Sequence, residues 1–440
     1  PDDGRFSNVI GKKVILPVVN RAIPILADEA VDSGFGTGAV KITPSHDPVD
    51  FEVSQRQGLP LINIMNPDAT MNENAGPYAG LDRFSCRKAI VADLEKEGLL
   101  VKVEPYSHSI GHCQRCQTII EPVVSKQWFV KMAPLAQPAI SAVTSGDIRI
   151  VPEHFTKVYL NWMENIRDWC ISRQRAWGVP IAAFYCKCGE ALLDANVIDH
   201  VVKIFEKDGA DAWYALSEKE LLPAGTKCPK CGGTEFKKEE DILDVWFDSG
   251  VSWAAALETH PRLKYPCDLY LEGKDQHRGW FQSSLLASVG SRDIAPYKSV
   301  MTCGFVIDEK NRPYSKSSGN YVPLPKLIEK YGAEVIRMWV ASSDYREDVR
   351  MSEQTMTRLS EAYRKIRNTA RFMIANLYDF APEEHSVDEA GMSELDRWAM
   401  ARYRQLVARV RKAYEDFEFH KVHFALVDFC SVDMSAIYLD

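Results

Sequence analysis

The chain has no apolar run near the ~20 residues that a membrane-spanning helix requires, and it has no internal repeat and no low-complexity tract. No membrane association is therefore expected. It also lacks an excess of positive charge, since 53 Lys and Arg stand against 61 Asp and Glu for a net charge of −8. That argues against a generically basic nucleic-acid binder, although a large protein can confine its basic surface to one face. The start, Pro1-Asp-Asp-Gly-Arg5, is charged, has no initiator Met and shows no secretory pattern. Because it opens inside a β-rich pattern, it reads as a truncation. Cysteine is not scarce. Eleven cysteines without a secretory signal suggest a cytoplasmic, reducing setting, where paired cysteines more often hold metal than form disulfides. Composition is otherwise that of a globular protein, 46% apolar and 26% charged, and the length suggests roughly three domains.

Residues 1 to 105 alternate short β-branched runs (14–19, 39–43, 61–64) with turns and a few helices. One helix has clear punctuation: Asp47 caps it, Pro48 suits its first turn and Gly58 ends it. Another is expected over 86–97, stopping at Gly98. From 106 to about 240 the pattern is irregular and rich in Trp and Cys. Residues 241–322 read as α/β, with strands near 269–271 and 300–306 and a helix after Trp280. Ligands in such folds collect at the carboxyl ends of strands. Beyond 323 the chain turns helical, with a basic helix (Arg358, Arg364, Lys365, Arg367, Arg371), an acidic linker over 381–390 and a long amphipathic helix from about Ser393 to Phe417.

Two short runs carry the most chemistry. Glu272-Gly-Lys-Asp-Gln-His-Arg-Gly-Trp280 puts two carboxylates, an amide and a histidine in one loop before an apolar helix. Further on, Arg312-Pro-Tyr-Ser-Lys-Ser-Ser-Gly-Asn320 is a short Ser/Lys/Gly loop with a central lysine. Together they fit a site that adenylates a carboxylate with ATP, a reaction that requires positioning and charge neutralisation rather than a nucleophilic side chain. Asp275 can accept hydrogen bonds from ribose hydroxyls, and Gly273 permits close approach of adenosine. Lys316, between Ser315 and Ser317, meets phosphate as a mobile point charge. The plain alternative is a solvated loop ahead of a core helix. Separately, Cys186-Lys-Cys188 and Cys228-Pro-Lys-Cys231 offer four thiolates suited to a structural Zn2+. Cys113-Gln-Arg-Cys116 is a further half-site without a second pair.

These motifs resemble those of the class I aminoacyl-tRNA synthetases of the isoleucine/valine/leucine group, over nearly the whole chain. The resemblance implies that Glu272 and Gln276 lie near the amino acid and adenylate, that Trp280 borders the side-chain pocket, and that Gly304 joins the same site. It also implies use of ATP and Mg2+, with tRNA and either isoleucine or valine as partners, in a monomeric protein. Asp168–Gln174 and Asp241–Gly250 resemble signature segments of the group, with aromatic content suited to packing beneath the site. There are departures. Pro313 and Tyr314 replace the first two residues of the family's Lys-Met-Ser-Lys-Ser, and Cys303 replaces the histidine of its His-Gly-Phe. The family's His-x-Gly-His motif is expected upstream of residue 1.

Gly36 to Asp50 resembles the hydrolytic editing domain of the same group. Pockets separate side chains differing by one methylene only about 10- to 200-fold, a range long established for these enzymes themselves, so a second site hydrolyses mischarged product. Asp50, in the first turn of its helix, can hold a substrate ammonium. Lys41 and Thr43 are expected on one face of a preceding strand, with Lys41 and Asp47 paired near the pocket floor. The alternative is that Asp47 is only a helix cap and Asp50 only a dipole partner. This half looks like the valine enzyme and the half from 241 like the isoleucine enzyme.

The implied fold is α/β: a partial Rossmann-like parallel-sheet catalytic domain with an inserted α+β or β-barrel editing domain, a zinc knuckle and a C-terminal helical region. The implied segments are editing (1–105), a return into the catalytic domain (106–185), the knuckle (186–240), the second part of the catalytic domain (241–322), a stem-contact helical region (323–385) and the start of an anticodon-binding domain (386–440). The expected activity is ATP-dependent activation of isoleucine and its transfer to tRNA, with editing. A valine enzyme, a non-catalytic synthetase-like RNA-binding module and a zinc-ribbon scaffold are the alternatives.

Overall fold

A computed structural model describes residues 3–113, 116–314 and 319–440. The chain forms two compact units, Pro1–Gln127 and Trp128–Asp440.

In the first unit a hairpin pairs Lys13–Leu16 with Arg21–Pro24. Helix α1 (Pro48–Gln57) begins and ends where the sequence indicates: Asp47 accepts from the N–H groups of Val49 and Asp50, and Gly58 adopts φ 64°. Helix α2 (Arg83–Lys96) starts three residues before the expected point because Asp82 caps it. Met65, Met71, Ala75 and Tyr78 form a small core against it. Two strand expectations fail. Residues 39–43 and 61–64 carry no sheet ladder, and the unit's described residues contain one two-stranded sheet and no barrel. β-branched residues fit a pleated surface, but a strand also needs a neighbour to take its N–H and C=O groups.

The second unit is built on a parallel sheet of β1 (Arg149–Val151), β2 (Tyr270–Gly273) and β3 (Ser299–Cys303), with β3 in the middle. Helix α3 (Trp280–Arg292) covers it, burying Phe281, Leu285, Leu286 and Val289 against Ile150, Tyr270 and Val300. Residues 106–240 are thus less irregular than expected, since β1 lies there. A separate small sheet centres on Phe184–Cys186, between Ala191–Leu192 and Phe236–Lys238, with its own core of Phe184, Val201, Trp213 and Leu221.

Past β3, Val306–Ile307 runs parallel to Val349–Arg350. From Leu324 onward most of the described residues are helical. Helix α4 (Glu353–Ala375) carries the five expected basic residues, all exposed, and α5 (Glu394–Glu415) is capped by Ser393 with Asp396 reaching back. No helix of the described residues is long and apolar enough to cross a membrane.

Candidate active site

Parallel pairing sets the carboxyl ends of β2 and β3 side by side, with Glu272 opposite Thr302 and Gly273 opposite Cys303. After Gly273 the chain makes a single tight turn, Lys274–Arg278, before α3. Its conformation is fixed from within. Gln276 Oε1 accepts from the Trp280 N–H at 2.9 Å and Gln276 Nε2 donates to Asp275 Oδ2 at 3.0 Å. A Cβ on Gly273 would lie 2.8 Å from Asp275 Oδ1, and one on Gly279 would lie 2.6 Å from Gln276 Oε1. The two glycines therefore let the polar side chains fold back over the backbone. Glu272 and Asp275 remain exposed at the rim.

His277 points the other way. It is 2% exposed, stacks on Phe155 at 4.9 Å and shares a 2.9 Å hydrogen bond with Thr302 Oγ1, while its Nδ1 has no partner. Burial, helped by His154, pushes its pKa down to about 4. The sequence motif contains His277, but nothing in it separates this buried anchor from the exposed polar residues beside it. Trp280 stacks on Tyr270 at 4.0 Å and donates from Nε1 to Ser249 O at 3.0 Å and Ser252 Oγ at 3.1 Å.

The two aromatic segments meet beneath this loop. Ser172–Arg173 pairs with Ile242–Leu243, and buried Asp244 accepts from Arg173 at 2.7 Å, Trp169 at 3.0 Å and the Trp246 N–H at 3.1 Å. Trp246 in turn lies where a Cβ on Gly279 would touch its ring. These segments pack around Gly279 and Trp280.

At β3, burial and then the Glu272 charge raise the pKa of the Cys303 thiol. Gly304 is confined for a reason the sequence did not reveal: a Cβ there would sit 2.1 Å from the backbone oxygen of Glu347. The expected catalytic trio, Ser315, Lys316 and Ser317, lies outside the described residues. The base of its loop is well defined. Asp308 accepts from the N–H groups of Lys310 and Arg312, from the Arg312 side chain, and from Asn320 at 3.1 Å. These bonds, the Arg312 N–H first, hold the Asp308 carboxyl far below its usual range.

In the first unit, Asp50 Oδ2 accepts from Thr43 N at 2.6 Å and Thr43 Oγ1 at 3.0 Å. Asp47 Oδ1 is used by the helix it caps, so the expected pairing with Lys41 does not form. Lys41 is exposed, in a segment with no strand ladder. Crowding around its ammonium lowers its pKa, against the pull of Asp50. His46 was missed: its Nδ1 lies 3.1 Å from Pro122 O, and its Nε2 accepts from the Ile64 N–H.

The four cysteines of the small sheet converge. Cys186, Cys188, Cys228 and Cys231 have all their sulfurs within 4.8 Å of one another. Cys186 is 3.5 Å from Cys231 and Cys188 is 3.7 Å from Cys228, sulfur to sulfur. A tetrahedron of sulfurs about 2.3 Å from a central Zn2+ has edges of about 3.8 Å, so the donor set fits that ion. The short CxC closes because Gly189, at φ 85°, turns the chain directly after Cys188. No such group includes Cys113 or Cys116 among the described residues.

Two adjacent carboxyl ends of one parallel sheet thus carry an acidic, amide-bearing turn and the segment leading to Asp308. The family of class I tRNA synthetases (I, L, M and V) matches residues 38–352, and the anticodon-binding domain of tRNA ligases matches 396–440. The chain belongs to the class I tRNA synthetases. It is 48% identical over 427 residues to the isoleucine--tRNA ligase of Syntrophotalea carbinolica, covering 96% of this chain and 46% of that protein. With the isoleucine--tRNA ligase of Caldicellulosiruptor saccharolyticus it shares 44% over 425 residues, with the same coverage. The chain thus spans about half the length of the curated relatives it matches. Among solved structures, Agrobacterium radiobacter K84 LeuRS in a ternary complex with tRNA and LeuAMS gives a TM-score of 0.49 at 17% identity, over 97% of this chain and 47% of that one.

Proposed function

We propose that the protein carrying this chain activates isoleucine with ATP and transfers it to tRNA. The observation that carries this reading is the juxtaposition of the Glu272–Trp280 turn with Cys303–Gly304 at one sheet edge, in a chain 44–48% identical to isoleucine--tRNA ligases. The isoleucine carboxylate attacks the α-phosphorus of ATP and pyrophosphate leaves. A ribose hydroxyl of tRNA then attacks the acyl carbon, and AMP departs. Asp275 accepts from the ribose hydroxyls over Gly273, and Gly304 borders the nucleotide. Glu272 and Gln276 face the amino acid and adenylate, and Trp280 walls the side-chain pocket. Lys316, between Ser315 and Ser317, moves onto the phosphates as charge develops there. Mg2+, arriving with ATP, neutralises phosphate charge.

Cys186, Cys188, Cys228 and Cys231 hold a structural Zn2+ that ties the two cysteine turns together. Residues 1–105 serve as an editing module in which Asp50, already oriented by Thr43, takes the substrate ammonium, with Lys41 and Asp47 on the rim. The exposed basic face of α4 meets tRNA, in line with an anticodon-binding domain following it. The test is ATP–pyrophosphate exchange with isoleucine and with valine. Isoleucine is expected to support it, and Lys316→Ala to slow it about 10²–10³-fold, as loss of other transition-state donors does. Exchange with valine alone would reassign the substrate. Binding of tRNA with no exchange by either would leave a non-catalytic RNA-binding module.

A further inference from the structure

One carboxylate outside both motifs joins them. Asp348 lies on the segment between helix Ala333–Ser342 and α4. Its Oδ1 accepts from Lys274 Nζ at 2.6 Å and from the Phe305 backbone N–H at 2.8 Å. Lys274 belongs to the turn after β2, whereas Phe305 immediately precedes the strand Val306–Ile307 that leads towards Asp308. The Lys274 ammonium also sits 4.9 Å from the centre of the Phe305 ring.

The backbone around this oxygen is stitched closely. Gly304 N donates to Tyr345 O at 2.8 Å, Val349 N to Phe305 O at 2.8 Å and Met351 N to Ile307 O at 3.1 Å. Gly304 has no room for a Cβ beside Glu347, so residues 345–351 pack directly on 304–307. The side chains of Lys274 and Asp348 are 37% and 36% exposed. An ion pair so wet contributes little attraction of its own. What the arrangement supplies is a fixed distance, set by two donors converging on one oxygen.

We propose that Asp348 is a positioning residue for adenylate formation, holding the Glu272–Trp280 turn and the strand feeding the 308–320 loop in register. The proposal rests on the functional reading above. A nucleotide whose ribose lies on the first element and whose phosphates lie on the second spans the two roots that Asp348 links. Drift between them disturbs transition-state alignment more than ground-state binding.

The experiment uses Asp348→Ala, Asp348→Asn and Lys274→Met in the protein carrying this chain. Asp348→Ala is expected to lower kcat for isoleucine-dependent exchange about 10- to 100-fold while KM for ATP stays within about threefold. Asp348→Asn keeps an oxygen for the Phe305 N–H and should recover most of the rate. Lys274→Met should cost less than Asp348→Ala and add little when combined with it, the non-additivity of a shared interaction. Independently of turnover, amide hydrogen exchange in Asp348→Ala should quicken across 272–280 and 304–312 together. An unchanged kcat, or a raised KM with kcat intact, overturns the positioning role and leaves the functional reading standing. If the unaltered protein activates no amino acid, the functional reading falls and the catalytic role falls with it. Hydrogen exchange then decides the linkage, and unaltered exchange in both segments overturns it.

Discussion

The sheet edge at 272–305 and the segment at 41–50 both present carboxylates beside a helix start, yet they are held in opposite ways. The first draws its anchors from far along the chain: His277 bonds Thr302, and Lys274 bonds Asp348 across 74 positions. The second holds its carboxylates locally, with Asp50 on Thr43 and Asp47 on its own helix, while its longer tethers run through the neighbouring Ser45 and His46. The cysteine cluster belongs with the first kind, since Cys186 meets Cys231 across 45 positions. A site closed by distant partners fails as a unit when one partner goes, whereas a locally closed one loses only what was removed.

The largest expected effect tests that contrast at the cysteines. Cys228→Ser should reduce bound zinc from about one per chain to near zero, because a structural site of this type contributes on the order of 10 kcal/mol through all four ligands at once. Metal analysis after purification under reducing conditions checks this. Zinc retained in full would show that the four sulfurs do not act together.

A smaller effect is expected at His277. Its folded pKa, at about 4, is below the value of about 6.5 in an unfolded chain. Above pH 6.5 the imidazole is neutral in both states and its contribution is fully present. As pH falls from 6.5 toward 4, the unfolded chain takes up the proton first and stability declines, by about 2 kcal/mol at pH 5. Urea unfolding at pH 7.5 and pH 5 should show this decline in the native protein and much less of it in His277→Gln. Equal declines would place the titrating group elsewhere.

The smallest effect is expected where closure is local. Asp47→Ala removes a helix cap and should cost about 1 kcal/mol, seen as faster amide exchange within α1 and not beyond it. Loss of protection across the rest of the first unit would mean that the segment is less self-contained than its bonds indicate.

The same contrast governs what could be read in the sequence. Local signals were legible: the Asp47 cap and Gly58 stop of α1, the helix after Trp280, strands β2 and β3 and the cysteine spacing all appear where expected. Distant partners were not. Arg149–Val151 is too short to show a period, yet it completes the sheet. Asp348 and Thr302 carry no mark of their contacts, because a hydrogen bond across tens of residues leaves no pattern in either neighbourhood. The run at 39–43 failed in the reverse direction: its alternation was clear, but no neighbouring strand takes up its backbone groups.

The placement of the cysteine sheet has a consequence for how this architecture tolerates growth. It interrupts the crossover from β1 to β2, and its first and last strands pair with each other, Phe184 opposite Lys238. The chain therefore leaves and rejoins the crossover at nearly the same point. Closing a loop costs only logarithmically more as it lengthens, so inserting these residues burdens the parallel sheet by about half a kcal/mol. With its own buried centre at Phe184, Trp213 and Leu221, the insert behaves as a lodger on the crossover. Modules with adjacent ends can be exchanged or lengthened there while the pairing of β2 with β3 stays as it is.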